Sequence, residues 1–450
     1  MIAVPAVPLT PAEAARRAAA APGAFWLSSP GRDEARIARD FVGARPIEVL
    51  RGARPGDLTG LERAWNVARA AWCDRPDPPA GIPVAVGWLS YELGRQLVGL
   101  PPRAPGEDGR SPEPLFQFQL HDAVWVREAD GAARILARDE AAAARLAELL
   151  AREPATVATE FARMGPLRPV HPEATFTAGV RRIVDYLHAG DAYQVNLSRR
   201  LSASVEGADA VFLAAQLRAA AAAPHAAFIA GTDGGPTILG NSPERFLSLA
   251  PDGALETRPI KGTRPRGADA AADGAAAREL TGAAKDRAEH VMIVDLERND
   301  LGRVCRAGSV EVASVARLVS LPTVHHLVST VRGQLRPEVG LAELLAATFP
   351  GGSVTGAPKR RAMQIIDELE RSPRGPYTGA TGWLGAAGDL DLAIAIRTAV
   401  VRGGVLEISV GGGIVADSTP EAELAETEVK ARAFAALASD RPAPPPPPRR

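Results

Sequence analysis

The chain has 450 residues, of which 46% are hydrophobic and 23% are charged, and its formal net charge is −1. This length suffices for one large domain or for two to three ordinary ones. The near-neutral charge argues against a nucleic acid or an anionic membrane as a partner, because both are usually held by a basic excess. The sequence has neither a signal-type apolar segment nor the roughly 20 apolar residues that cross a bilayer. We therefore expect a soluble protein that is not exported.

The two cysteines, Cys73 and Cys305, lie far apart in the sequence. A secreted disulfide scaffold would carry more cysteines, so this count favours a reducing compartment, the cytoplasm. Cys305 follows the apolar Val304 and is predicted to pack as a small hydrophobic residue.

The first 165 residues alternate short apolar runs with breaks that are rich in proline and glycine. Residues 153–172 contain several prolines and have no clear period, which indicates a crossover or a linker. We therefore expect an N-terminal α+β subdomain over residues 1–165. Its predicted elements are a strand at 83–89, the two strands of a hairpin at 123–126 and 133–137, and a helix at 140–152.

The pattern becomes denser from about residue 170, and we expect a second, catalytic domain over residues 170–437. Residues 176–189 have apolar positions at helical spacing and stop at Gly190, which is a typical helix C-terminus. Further helices are predicted at 275–301, 360–369 and 421–437, and strands at 195–201, 227–230, 246–249, 393–401 and 406–410. No regular alternation of strand and helix is present, so we predict an α+β fold with large, mainly antiparallel sheets.

The proline-rich residues 438–450 are predicted to be a disordered tail.

Glu244 lies in a short polar segment before the strand predicted at 246–249. Apolar surroundings would raise the pKa of this carboxyl and suit it to act as a general acid. The alternative is a turn glutamate that pairs with a nearby arginine, and the turn alone favours that interpretation.

Residues 256–267 combine Lys261 with three arginines among prolines and glycines. X-Pro steps hold a backbone extended, and glycines let a ligand come close. Clustered cations would lower the pKa of Lys261 and increase its free-amine fraction, which a nucleophilic lysine requires. The alternative is a solvated basic loop, which the regularly placed prolines and glycines make less favoured.

Residues 285–302 are predicted to form a helix in which acidic residues, among them Asp286 and Glu289, lie beside an apolar stripe. Oxygen ligands of this kind suit a hard divalent cation such as Mg²⁺, which takes one or two carboxylates together with waters and substrate oxygens. An ordinary exposed acidic face is the alternative.

A glycine segment at 409–414 offers backbone amides that could hold a carboxylate or phosphate. Ser418 and Thr419 are expected to cap the helix that follows. On that helix Glu423, Glu426 and Lys430 fall on one face. A surface ion pair between Glu426 and Lys430, worth roughly 0.3–0.5 kcal/mol, is the alternative.

Residues 349–359 resemble a phosphate loop at first sight but lack the Walker spacing, so a nucleotide-hydrolysing function is not favoured. The segment ends in a proline at a predicted helix start, where backbone amides could still face an anion.

These segments together resemble the chorismate-utilising enzymes, which include the large subunits of anthranilate synthase and aminodeoxychorismate synthase, and the isochorismate and salicylate synthases. The resemblance is strong over residues 170–436 and weak before residue 165. It implies a fold of large, mainly antiparallel sheets that form a sandwich flanked by helices. The segments that carry it are 191–198, 242–244, 259–266, 292–300, 326–329, 351–356, 396–398 and 423–430.

The resemblance also implies a role for each matching residue. Glu244 would be the general acid on the C4 hydroxyl of chorismate, and Thr263 and His326 would border the ring. Glu289 and Glu426 would hold Mg²⁺ as the cofactor. The groups expected to bind the substrate's carboxylates are Tyr377, Arg397, Lys430 and the amides of Gly411 and Gly413.

Two positions separate the branches of this family. The isochorismate and salicylate enzymes typically have a water-activating lysine where this chain has Gln194, so ammonia is the expected nucleophile. Anthranilate synthases normally have alanine at the position of Lys261, whereas aminodeoxychorismate synthases resemble this chain in having lysine. The expected reaction is therefore amination of chorismate at C4 through a covalent Lys261 adduct, for p-aminobenzoate and folate synthesis.

No glutaminase segment with a nucleophilic cysteine is present in the sequence, so a separate glutamine amidotransferase subunit is expected to deliver the ammonia. Two alternatives stay open: an anthranilate synthase component I, and a silent chorismate-binding subunit. Related large subunits often bind tryptophan in the N-terminal half, but residues 25–30 depart from that pattern and leave the question open, together with the oligomeric state.

Overall fold

The computed structural model describes residues 1–30, 37–72, 79–107, 113–152, 163–206, 210–221, 223–321 and 323–438. Cys73, most of the predicted linker and residues 439–450 of the predicted tail lie outside these ranges. The helices are α1 (Pro11–Ala18), α2 (Leu58–Trp72), α3 (Tyr91–Leu97), α4 (Glu140–Ala151), α5 (Glu173–His188), α6 (Ala210–Ala220), α7 (Ala270–Gly282), α8 (Ala284–Gly302), α9 (Leu341–Thr348), α10 (Lys359–Leu369) and α11 (Pro420–Ala435).

The strands alternate with these helices along the chain. They are β1 (Ile2–Pro5), β2 (Phe25–Pro30), β3 (Ile37–Gly43), β4 (Glu48–Gly52), β5 (Pro83–Leu89), β6 (Phe116–Leu120), β7 (Ala123–Glu128), β8 (Ala133–Ala137), β9 (Arg163–Met164), β10 (Arg168–Pro169), β11 (Gln194–Glu206), β12 (His225–Ile229), β13 (Thr237–Ser242), β14 (Arg245–Leu249), β15 (Ala254–Arg258), β16 (Ile260–Pro265), β17 (Glu311–Ser320), β18 (Val324–Gln334), β19 (Gly356–Ala357), β20 (Ala380–Gly385), β21 (Leu390–Ile394), β22 (Thr398–Arg402) and β23 (Val405–Ile414).

Two large antiparallel sheets organise the fold. The first runs in the order β1-β8-β7-β3-β2-β12-β13-β22-β23-β11-β10, and the second in the order β16-β18-β15-β14-β21-β20-β5-β6-β4. Strands from both sides of residue 165 pair in each sheet, since β2 pairs with β12 and β5 with β20. The predicted α+β class with mainly antiparallel sheets is confirmed, while the division into two domains near residue 165 stays a prediction.

The main core lies between the two sheets, which form a sandwich. Side chains alternate across a strand, so Phe25 and Leu27 of β2 enter the inter-sheet core while Trp26 packs into a second core under the helices. Burying a large apolar side chain of this kind stabilises the fold by roughly 1.5–3 kcal/mol. Cys305 is 3% exposed within the inter-sheet core, which confirms that it packs as a small hydrophobic residue.

Several predicted elements are confirmed. The strand at 83–89, the hairpin at 123–137 and the helix from residue 140 have the expected positions. Helix α5 ends before Gly190, whose φ of 83° is the left-handed conformation expected of a C-terminal glycine. No helix in the described ranges is both long and apolar enough to cross a membrane.

Two predicted elements are each divided in the structure. The strand predicted at 393–401 is interrupted between β21 and β22, because Arg397 has a φ of 48° and this left-handed backbone cannot continue a strand. The helix predicted at 275–301 is two helices, α7 and α8, since Ala283 between them is extended with a ψ of 101°.

Two segments that the sequence singled out for their arginines or their glycines are strands in the structure. The arginine-rich residues around Lys261 form β15 and β16, which flank Pro259 and both pair with β18. The glycine segment at 409–414 is the end of β23 and pairs with β11. Thr419 occupies the N-cap of α11, but its side chain makes no capping bond, so the predicted side-chain cap was wrong.

Candidate active site

Lys261 lies in β16 and is the charged group around which the predicted site residues gather. Burial lowers the pKa of its ammonium, and the positive charge of Lys430 acts in the same direction. The carboxylates of Glu289, Glu244 and Glu426 oppose this shift but do not overcome it. Side chains from α8, α11 and the turn between β13 and β14 therefore converge on one amine.

The predicted cause of this lowered pKa was wrong. The three arginines near Lys261 are each paired with a carboxylate, so they do not act as a free cationic cluster. The pairs are Arg258 with Glu256 at 2.5 Å, Arg264 with Glu279 at 2.9 Å and Arg266 with Asp273 at 2.7 Å. The main cause of the shift is loss of hydration around the amine.

Glu244 lies in the turn between β13 and β14 and is 5% exposed. Burial raises the pKa of its carboxyl, although the Ser353 hydroxyl, the charge of Lys261 and the Ile260 amide counteract this. The Ile260 N–H lies 3.4 Å from Oε1 of Glu244. A carboxyl with a raised pKa beside a lysine with a lowered pKa is suited to acid catalysis.

Arg397 lies near Glu244, and its positive charge lowers the pKa of that carboxyl. Its backbone is held in the left-handed region while its carbonyl accepts a bond from the Asn241 N–H at 2.9 Å. Thr378, which follows the buried Tyr377, is also left-handed, with a φ of 58°. Such conformations in residues other than glycine cost about 1–3 kcal/mol and cluster at functional sites.

Thr263 and His326 face each other across β16 and β18, with 2.9 Å between the hydroxyl and Nδ1 of the ring. Burial lowers the pKa of His326 to about 3, and the charge of Arg397 adds to this effect. Nε2 of the ring is buried and has no hydrogen-bond partner in the part of the chain that the structure describes. The ring is therefore neutral and has one nitrogen available to a ligand.

The amides of Gly411 and Gly413 point away from β11. Their partners in the ladder are Ser198 and Asn196, whose own N–H groups bond outward to Glu370 and to Thr355. Antiparallel residue pairs either exchange both backbone bonds or turn both N–H groups outward. The pairing of β22 with β23 ends at Ile408, so both glycine amides face the gap where the two strands part.

Glu423, Glu426 and Lys430 of α11 surround Gly412, as their predicted common face requires. A side chain added at Gly412 would lie 3.2–3.5 Å from atoms of all three. Lys430 donates to the Gly411 carbonyl at 2.7 Å and pairs with Glu426 at 2.6 Å. The ion pair considered from the sequence is therefore present, and it stands at the edge of the glycine segment.

Gln194 is fully buried at the start of β11, with its side chain against Gly413. Neither its amide oxygen nor its amide nitrogen has a hydrogen-bond partner among the described residues. Buried polar groups are nearly always paired, so an unpaired amide indicates a place for a ligand or a water.

Glu289 of α8 and Glu426 of α11 both act on the Lys261 ammonium, which brings the two predicted metal ligands to the same amine. Among the described residues, no group of three or more metal-ligating side chains meets at one point, and the side chain of Asp286 lies outside that description. Mg²⁺ often takes only one or two carboxylates and completes its shell with water and substrate oxygens. This donor set fits Mg²⁺ if the substrate supplies part of the shell.

Three further residues support the site, and the sequence pattern predicted no role for them: Ser353, Glu297 and Arg374. Ser353 bonds the carboxyl of Glu244, and Glu297 accepts a bond from the Gly352 N–H at 2.9 Å. The segment that resembled a phosphate loop thus links the predicted general acid to α8. The glycines at 351 and 352 were the feature of the sequence that indicated this link, because they let the segment approach α8 closely.

Arg374 connects several elements of the site through hydrogen bonds. It bonds the carbonyls of Val354 and Asn196, the hydroxyl of Thr378 and the carboxylate of Glu370. Its guanidinium also lies 5.8 Å from the ring centre of Tyr377, a residue predicted to bind the substrate. Nothing in the spacing of the sequence distinguishes this arginine from its neighbours.

The profile of chorismate binding enzymes matches residues 22–436. The chain belongs to this family. A relative named aminodeoxychorismate synthase component 1, from Klebsiella aerogenes, is 40% identical over 90% of this chain and 91% of its own length. Another, named anthranilate synthase component 1 3, from Haloarcula marismortui, is 39% identical over 88% of this chain and 82% of its own.

A solved structure shows the same fold at full length. Anthranilate synthase component I from Streptococcus pneumoniae superposes with a TM-score of 0.71 and is 29% identical, and 92% of each chain is covered. The sandwich of large sheets flanked by helices is therefore confirmed as the fold of this family. The roles of the individual site residues stay predictions.

Proposed function

We propose that this chain aminates chorismate at C4 with ammonia and so produces 4-amino-4-deoxychorismate. The observation that carries the proposal is the pairing of Lys261, whose pKa burial lowers, with the buried Glu244, whose pKa burial raises. The relatives named aminodeoxychorismate synthase component 1 support the choice within the family.

In the first step the uncharged amine of Lys261 adds to C2 of chorismate. The ring double bond shifts, and the C4 oxygen leaves as water after taking the proton of Glu244. The adding amine keeps both of its protons, so the adduct at C2 is a secondary ammonium. The burial of both groups favours the starting protonation states, since it disfavours the charged form of each.

In the second step ammonia attacks C4, the double bond shifts back, and Lys261 leaves C2 as an amine. Glu244, now a carboxylate, can take the proton that the new amino group releases. Two displacements of lower barrier replace one difficult substitution. Because the enzyme's own amine occupies the C2 position, the nitrogen of ammonia is directed to C4. The neutral amide of Gln194 offers a binding partner for ammonia but no base to activate water.

Chorismate carries two carboxylates, and the site offers cations and amides to hold them. Arg397, Lys430 and the outward amides of Gly411 and Gly413 are the proposed partners, with Tyr377 beside them. Charge-assisted bonds of this type fix orientation as well as affinity. Thr263 and the neutral His326 border the ring without adding a charge.

Glu289 and Glu426 are the residues that would hold Mg²⁺. When bound, the ion supplies positive charge to the ring carboxylate of the substrate. Their carboxylates also oppose the loss of the Lys261 proton. Occupation of the pair by a cation would remove that opposition.

The name component 1 of the relatives implies a second subunit. We propose that it is a glutamine amidotransferase that releases ammonia, and that the complex works in the cytoplasm. The unattached chain should then still react when ammonium salt replaces the partner.

A product assay tests this function. The chain is incubated with chorismate, Mg²⁺ and ammonium salt, and the products are separated by chromatography. We expect 4-amino-4-deoxychorismate, which an added lyase converts to p-aminobenzoate. The second candidate is anthranilate synthase component I, which the similarity to relatives of that name supports. Formation of fluorescent anthranilate without a lyase would establish that candidate instead.

A further inference from the structure

Glu297 is a buried carboxylic acid on α8 that the proposed chemistry leaves unused. It is 2% exposed. Its Oε1 accepts from the Gly352 N–H at 2.9 Å, and its Oε2 is buried with no partner in the ranges that the structure describes. A buried carboxylate normally has hydrogen-bond partners for both oxygens. Because one oxygen of Glu297 has none, the charged form of this residue is disfavoured.

The loop that Glu297 holds is the one that touches the general acid. Ser353, the residue after Gly352, hydrogen-bonds the Glu244 carboxyl. The loop comes so close to α8 that a side chain at Gly352 would lie 2.5 Å from Leu296. A path of two hydrogen bonds and one peptide unit therefore joins the carboxyls of Glu297 and Glu244.

Charged groups on each neighbouring element set the protonation of Glu297. Burial and the charges of Asp300 and Glu244 together raise its pKa to about 7, although Lys359 of α10 and the Gly352 N–H act in the opposite direction. Asp300 is itself paired with Lys359 at 2.6 Å. Coupling between two carboxyls is mutual, so a charge on Glu297 favours the acid form of Glu244, against the cations Lys261 and Arg397.

We propose that Glu297 is a positioning residue for the amination reaction, which holds the Gly352–Ser353 segment against Glu244 and keeps that acid in its protonated form. This inference rests on the proposed function of Glu244. Glu297 does not contact the substrate in the proposed reaction. It positions the Gly352–Ser353 segment through its hydrogen bond, and its negative charge acts on the Glu244 carboxyl through space.

The test compares Glu297→Gln with the parent chain over a range of pH, at a constant concentration of free ammonia. Glutamine keeps an oxygen acceptor for the Gly352 N–H and removes only the charge. We expect the limb of the kcat profile that reports Glu244 to move to lower pH by roughly half to one unit, while the other limb stays. Asp295→Asn, two residues away on the exposed side of α8, removes the same charge and should move neither limb.

Coincident profiles for Glu297→Gln and the parent would overturn the inference, even if the variant is less stable, because a structural role alone moves no limb. Should Glu297→Gln fail to fold, carbon-13 NMR of glutamate carboxyls in the parent and in Glu244→Gln provides the second measurement. A Glu297 pKa that falls in Glu244→Gln supports the inference, because Asp300 acts equally in both proteins, and an unchanged pKa contradicts it. A parent chain that makes no aminodeoxychorismate removes the proposed function but leaves this titration readable.

Discussion

The Thr263 hydroxyl lies 2.9 Å from Nδ1 of His326, and this contact joins two residues of neighbouring strands that the proposed function places beside the substrate ring. Burial lowers the pKa of the imidazole to about 3, so His326 is uncharged near neutral pH. It can orient a substrate by a hydrogen bond from or to Nε2, but it cannot act as a charged acid. The titrating groups of the reaction must therefore be sought elsewhere, in Lys261 and Glu244.

The pH dependence of turnover should be bell-shaped. The rate rises with pH as Lys261 loses its proton and falls as Glu244 loses its own. Burial lowers the first pKa and raises the second, so the fraction of molecules with both groups in the reactive form is larger near neutral pH than ordinary values would allow. Steady-state rates at constant free ammonia measure this, and a profile that only rises with pH would exclude Glu244 as the acid.

Replacing Lys261 by alanine should lower aminodeoxychorismate formation at least about 100-fold, because the nucleophile of the first step is lost. Residual anthranilate-type chemistry is expected from the remaining site. Lys261→Arg is the matched control, since it keeps the positive charge but supplies no nucleophilic amine, and it should be equally inactive. Chromatography of the products decides the matter: undiminished aminodeoxychorismate from either variant would refute the covalent role.

Replacing Glu426 by glutamine should remove the Mg²⁺ response together with activity. The loss should exceed the roughly 10- to 100-fold that removal of an outer-shell partner costs. Glu421→Gln is the control on the same helix, because Glu421 is exposed and paired only loosely with Arg181 at 3.6 Å. Calorimetric titration of Mg²⁺ in the presence of chorismate measures binding directly, and full affinity in Glu426→Gln would remove this residue from the metal site.

Replacing Arg374 by methionine should lower the free energy of unfolding by about 3–5 kcal/mol, because the buried charge of Glu370 loses its partner. The pair is 2.7 Å apart and its side chains are 1% and 6% exposed. Arg298→Met breaks an exposed pair with Asp295 and should cost at most about 1 kcal/mol. Urea unfolding compares the two, and equal losses would mean that the Arg374 network contributes little to stability.

Regular elements were predictable wherever one short-range pattern decided them. The strand at 83–89 and helix α5 follow directly from apolar periodicity. The break at Arg397 was not predictable, because the run from Ala393 to Val401 is apolar apart from Arg397 and Thr398. The left-handed Arg397 instead accompanies a long-range bond from the Asn241 N–H to its carbonyl. Long-range contacts override local pattern at this position.

The candidate site was predictable in composition but not in its electrostatics. Family resemblance supplied Lys261 and Glu244, whereas the reason for the lowered lysine pKa was wrong, since pairing of the neighbouring arginines cannot be read from their spacing. Glu297 escaped notice because an acidic residue on a helix is usually solvated. Among the described residues, its hydrogen-bond partner is the Gly352 N–H, which the close approach of Gly352 to α8 provides.

The shared sheets have a consequence for synthesis of the chain. Strand β5 finds its neighbour in β20, which begins at Ala380, and β2 finds its neighbour in β12. A nascent chain therefore carries strands with open edges until the last third of the sequence has left the ribosome. Such edges are templates for aggregation, and contacts of this sequence separation form slowly. Expression with early chaperone help, or slowed translation, should matter more for this chain than for a protein whose first half completes its own sheets.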